Sequence, residues 1–173
     1  MNVPDLDPGI RTAVLVEGVS DRAAVEALAR RVGRDLAGVA VVAMGGATNV
    51  GHHVRRYAGS VAVIGLCDEA EVAYFDRALG DGAYFVCHRD LEDELLRAVG
   101  VDATLGVLEA HDELRTFRVM QQQPAQRGRP VDEQLHRFLG IRSGRKERLA
   151  AALAALLDPA DLPPPLGRLL DRI

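Results

Sequence analysis

Residues 14–28, VLVEGVSDRAAVEAL, constrain the fold more than any other stretch of the chain. Val14, Leu15 and Val16 read as a buried strand, Glu17–Gly18 stops it, and Ser20–Asp21 opens a helix with Ala24, Val25, Leu28, Ala29 and Val32 at helical spacing. A carboxylate at the C-terminal end of a buried strand, followed by a short glycine turn, is where open α/β sheets place ligand chemistry. Burial would cost an ionised Glu17 much more than Val or Ala at the same place, so its position asks for a counter-charge. Asp21 falls in the first turn of the following helix, where its charge also suits the helix dipole.

The same unit recurs. VAVIGLCD (61–68) is a second apolar strand ending in an acid, and AYFVCH (83–88) is a third, followed by Asp90 as the cap of a helix over Leu91 to Val99. Between them, Val39 to Met44 is continuously apolar and broken by Gly45–Gly46, before a short helix from about Asn49 to Tyr57. The pattern predicts strands at about 12–17, 39–44, 61–68 and 83–88, with helices at about 20–34, 49–57, 70–80 and 91–99. Strands that alternate with helices predict a mainly parallel four-stranded sheet flanked by helices on both faces. Beyond Gly100 no strand pattern survives. Residues 101–173 read as a helical extension, interrupted by QQQPAQRGRP (121–130) and ended by the prolines at 163–165. The expected division is an α/β core over 1–100 and a helical part over 101–173.

In a parallel sheet the three acidic strand ends emerge on one edge. They bring together Glu17 with Asp21, Asp68 with Glu69 and Glu71, and Asp90 with Glu92. Clustered carboxylates without a zinc-type Cys/His set favour hard cations, Mg²⁺ or Mn²⁺. Such sites typically serve phosphoryl transfer. His52, His53 and His88 match no zinc spacing. Cys67 and Cys87 fall inside strands and read as reduced core residues.

Charge supports a phosphate-binding surface beside this acidic edge. Residues 1–114 hold ten Arg against nineteen Asp or Glu, a net of −9; residues 115–173 hold eleven basic against six acidic residues, a net of +5. Arg127, Arg129, Arg142 and Arg145 lie in the basic stretch and are candidates for nucleic-acid backbone contacts. Lys146 is the one lysine beside twenty arginines, and it offers a compact point charge that guanidinium does not. No apolar run approaches a membrane span, and the N-terminus MNVPDLDPG lacks signal-peptide order. A cytoplasmic protein with no membrane partner is the expectation.

LVEGVSD (15–21), LCDEAE (66–71) and the alternating β/α order resemble the Toprim fold of topoisomerases, primases and related nucleases. VAMGGATN (42–49), HRDLEDEL (88–95) and SGRK (143–146) are similar to the Toprim domain of OLD-family (overcoming lysogenization defect) nucleases, over roughly residues 10–157. The resemblance implies a metal-dependent endonuclease that uses one or two Mg²⁺ or Mn²⁺ ions. Glu17, Asp21 and Asp68 would be ligands, Glu17 and Lys146 catalytic. The family's D-x-D reads Asp68–Glu69–Ala70 here, so either Glu69 or Glu71 would substitute for the second aspartate or one metal would be held more weakly. Its Ser-x-Glu reads Asp90–Leu91–Glu92, making Glu92 a ligand and Asp90 a neighbouring candidate. OLD proteins usually carry an ATPase ahead of this domain; these 173 residues have no G-x-x-x-x-G-K-[ST], and the expectation is a chain without room for that ATPase. The implied partners are nucleic acid, DNA before RNA, a separate ATPase and a second copy of the chain. The competing reading is a non-catalytic partner module of such an ATPase.

Overall fold

This computed structural model describes residues 5–141 and 143–173. Four strands, β1 (Thr12–Val16), β2 (Val39–Ala43), β3 (Ala62–Asp68) and β4 (Tyr84–Cys87), form one sheet in the order β2-β1-β3-β4. Every pairing is parallel: Thr12 faces Val39 and Ala62, and Gly65 faces Tyr84. The helices between them are α1 (Val19–Arg31), α2 (Val50–Tyr57) and α3 (Val72–Leu79), with 3-10 turns at Ala47–Asn49 and Glu69–Glu71. All four expected strands and the alternation with helices are present, and the helix predicted over Leu91 to Val99 forms as α4 (Leu91–Val99).

The period of two along each strand divides the core into two layers. Ala13 and Leu15 of β1 join Cys67, Phe75, Val50 and Tyr57 under α2 and α3. Val14 and Val16 face the opposite way and join Ile64, Leu66 and Cys87 with residues of α1 and of the C-terminal helices. Ala13 through Val16 are completely buried, as a central strand covered on both faces requires.

Beyond α4 come α5 (Val101–Ala110), α6 (Leu114–Gln121), α7 (Val131–Leu139), α8 (Ser143–Ala154) and α9 (Pro164–Asp171). Helix α8 lies along α1, and Leu149, Leu153 and Leu157 enter the same core layer as Val14 and Leu28. One expectation is corrected here. Prolines 163–165 do not end the helical region; Pro164 begins α9, because proline fits the first helical turn, where its missing N–H would have no partner anyway. No helix among the described residues is long and apolar enough to cross a membrane.

Gly65, in the middle of β3, shows how closely α3 approaches the sheet. A Cβ there would sit 2.6 Å from the Phe75 ring and 3.3 Å from Leu79. Gly65→Ala is therefore expected to lower the unfolding free energy by about 1–3 kcal/mol through overpacking. Chemical denaturation checks it, and pairing the change with Phe75→Leu should recover part of the loss.

Candidate metal centre

The strand order places β1 beside β3, with β2 reached on one side and β4 on the other. Successive strands are added on one side of β1 and then on the other, so the strand order reverses between β1 and β3, and the crevice above that point receives the residues that end both parallel strands. Glu17 follows β1 directly, and Asp68 is the last residue of β3. The 3-10 turn after β3 turns Glu71 back toward them. One carboxylate oxygen each from Glu17, Asp68 and Glu71 lie within 4.8 Å of one another.

The backbone around the triad is specific. Gly45 and Gly46 after β2 have φ of 70° and 122°, a region that side chains disfavour, and the Gly46 N–H donates to the Glu17 carbonyl at 3.1 Å. Asp21 reaches back from the first turn of α1 to accept the Gly18 N–H at 2.7 Å, one half of a capping box. The Leu91 N–H at the start of α4 donates to Asp68 Oδ1 at 3.1 Å and fixes its carboxylate. Asp90 caps α4 by accepting the Asp93 N–H at 2.9 Å. Glu92, buried on the first turn of α4, meets the Lys146 ammonium at 3.2 Å.

Burial makes four of the acids at this edge, Asp21, Asp68, Glu71 and Glu92, hard to ionise. Burial pushes Asp68 up to about 7, with Asp21, Glu92 and Asp90 adding to the effect. Burial also pushes Glu71 up to about 8, and Glu17 adds to it through a hydrogen bond and its charge. Asp21 and Glu92 are raised by burial too, with Lys146 opposing the shift in both. Burial works against a charged Lys146, but Glu92, Asp21 and Asp68 outweigh it and leave its pKa above the ordinary value. Cys67, behind the triad, is pushed up to about 12 by burial and then by Glu71 and Asp68, so it is an inert thiol.

The residues present fit a hard divalent cation. The donors are all carboxylate oxygens, the set that Mg²⁺ and Mn²⁺ take. Glu71 Oε2 is buried and no donor among the described residues reaches it, which is costly for an oxygen that nothing else would satisfy.

The other expected site residues divide. Glu17, Asp68, Asp21, Glu92 and Lys146 gather at this edge. Glu69 turns outward in the same 3-10 turn and accepts the Arg89 N–H at 3.2 Å. The Asp90 carboxylate is taken up by His136 Nε2 of α7, at 2.9 and 2.7 Å to its two oxygens, besides the cap it makes. Arg127 and Arg129 are exposed on the loop before α7. Arg142 lies outside the described residues. Arg145, expected to face nucleic acid, is instead buried: its guanidinium stacks on Phe138 at 4.2 Å and pairs with Glu113 at 3.1 Å. Two participants were poorly marked in the sequence. Glu71 competes there with Glu69 for one role, and only the turn geometry separates them. His136 belongs to no pattern at all, and contact with Asp90 across 46 positions leaves no local trace.

Residues 10–60 match the family described as "Overcoming lysogenization defect protein-like, TOPRIM domain". Among solved structures, the C-terminal region of the Burkholderia pseudomallei OLD protein superposes with a TM-score of 0.65 at 20% identity, covering 94% of this chain and 96% of that one. Two structures of the C-terminal region of the Xanthomonas campestris pv. campestris OLD protein give TM-scores of 0.64 and 0.66 at 22% and 23% identity, covering 94% and 95% of this chain and 93% and 92% of those. No curated protein matches by sequence. At these identities the solved structures share the fold, and residues 10–60 carry the family's sequence pattern.

Proposed function

We propose that this OLD-like Toprim domain cleaves phosphodiester bonds of nucleic acid, DNA before RNA, in a reaction that depends on a divalent cation. The observation that carries the reading is the Glu17–Asp68–Glu71 triad at the switch point of the sheet, with the Lys146 ammonium beside it. Mg²⁺ or Mn²⁺ held by Glu17, Asp68 and Glu71 would supply Lewis-acid polarisation of the scissile phosphate. Asp68 is held for that task by the Leu91 N–H, and Asp21 by the Gly18 N–H. Lys146 presents its partly exposed ammonium to the phosphoryl oxygens, where negative charge grows in the transition state. Arg127 and Arg129 hold the nucleic-acid backbone from the neighbouring loop.

The experiment is nicking of supercoiled plasmid with Mn²⁺, wild type against Glu17→Ala. Wild type is expected to convert supercoiled to open-circular DNA and the variant to leave it intact. Equal nicking by both would remove the triad from the chemistry. Absence of nicking by wild type would favour the second reading, a non-catalytic module that works with a separate ATPase. One observation favours that reading: Ala70 stands where the D-x-D pattern has its second acid.

A further inference from the structure

We propose that Glu133 and His136, neighbours on one face of α7, are positioning residues for the metal ligand Asp68. They act through residues 89–91, the junction between β4 and α4. The inference rests on the metal-dependent reading above and adds to it a part for the helical region outside the acidic edge.

Three consecutive residues carry it. Arg89 has φ of 63° and is one of two non-glycine residues with positive φ among those described, a conformation that an L side chain adopts when its surroundings impose it. In that turn its N–H donates to the Glu69 carboxylate at 3.2 Å, and its carbonyl accepts the Glu69 N–H at 3.3 Å. Two residues on, the Leu91 N–H donates to Asp68 Oδ1 at 3.1 Å. The junction therefore holds Asp68 and Glu69 at the point where β3 ends.

On its other side the same junction is held by α7. The Arg89 guanidinium donates to both oxygens of Glu133, at 3.1 and 3.4 Å, a two-pronged contact with a defined direction. Asp90 turns both carboxylate oxygens to His136 Nε2, at 2.9 and 2.7 Å, while Oδ1 also accepts the Asp93 N–H and caps α4. Glu133 and His136 are three residues apart, so a single helix face makes both contacts. That helix is itself anchored by Leu135, Phe138 and Leu139 in the core. Released from α7, the Arg89 backbone would relax toward negative φ and carry the Leu91 N–H away from Asp68. A carboxylate that has lost the hydrogen bond orienting it holds a cation less well, typically by about ten- to a hundredfold. The His136 contact should matter more than the Glu133 contact. The side chains of His136 and Asp90 are 16% and 23% exposed, those of Arg89 and Glu133 42% and 43%, and water screens an exposed pair.

Free Mn²⁺ followed by paramagnetic resonance gives the affinity without relying on activity, and melting in EDTA reports the metal-free fold separately. His136→Leu is expected to weaken Mn²⁺ binding about tenfold or more. His136→Gln, whose amide nitrogen can donate from nearly the same place, should recover most of that loss. Glu133→Gln should weaken binding by about two- to fivefold. A His136→Leu protein that melts cooperatively and binds Mn²⁺ as tightly as wild type would overturn the proposal, and so would a His136→Gln protein that binds no tighter than His136→Leu. Should His136→Leu fail to fold, unchanged affinity in Glu133→Gln overturns it instead. The two readings fail separately. Unchanged affinity in the variants defeats the positioning and leaves the metal centre standing, whereas a wild-type protein that binds no Mn²⁺ removes the metal-dependent reading and this proposal with it.

Discussion

Replacing Lys146 with alanine is expected to slow Mn²⁺-dependent nicking about a hundredfold or more, measured at an Mn²⁺ concentration that just saturates the wild-type protein. In phosphodiester cleavage, charge builds on the phosphoryl oxygens on the way to the transition state. A fixed cation stabilises that charge more than it stabilises bound substrate, so its loss falls mainly on the rate. The ammonium is pre-positioned by Glu92 at 3.2 Å and remains partly exposed, so it is available to substrate without being free to wander. Lys146→Arg should recover little, because a planar fork cannot occupy the same point. A Lys146→Ala protein that nicks at the wild-type rate would remove the lysine from the chemistry and leave the triad in it.

The metal-free protein is expected to melt at a lower temperature near pH 8 to 9 than near pH 5, with saturating Mg²⁺ or Mn²⁺ closing most of the gap. The folded protein keeps protons on Asp68 up to about 7 and on Glu71 up to about 8, whereas ordinary values are 3.8 and 4.5. Between those limits the unfolded chain has released protons that the folded one still holds. Stability from these two groups is therefore complete below about pH 4 and is lost as pH rises through 7 and 8. A cation replaces the protons, so its affinity should rise about tenfold per pH unit for each proton displaced. Glu71→Gln removes a carboxyl that burial makes costly to ionise; it should raise the metal-free melting temperature at high pH and weaken metal binding. Thermal melts with and without EDTA across this range check the prediction, and a melting temperature that ignores both pH and metal would refute it.

Much of this protein was legible from local sequence. Apolar runs of strand length alternating with amphipathic stretches gave the β/α order, because periodicity records which faces are buried whatever the partner. Asp90 was readable as a cap and Leu91 to Val99 as the helix behind it, since capping is a contact of three residues. The placing of acids after strand ends was visible too, because a carboxylate next to an apolar run departs from what burial alone would select.

What local sequence could not decide was which of these groups meet. Strand order is a tertiary fact. With β1 between β2 and β3, Glu17 faces Asp68, and no spacing along the chain encodes that adjacency. Glu69 and Glu71 are two residues apart with the same chemistry, yet the 3-10 turn sends one outward to Arg89 and the other into the triad. Arg145 and Lys146 look like one basic patch in sequence. On a helix, adjacent side chains point about 100° apart, so packing of α8 buries the first against Phe138 and Glu113 and delivers the second to Glu92.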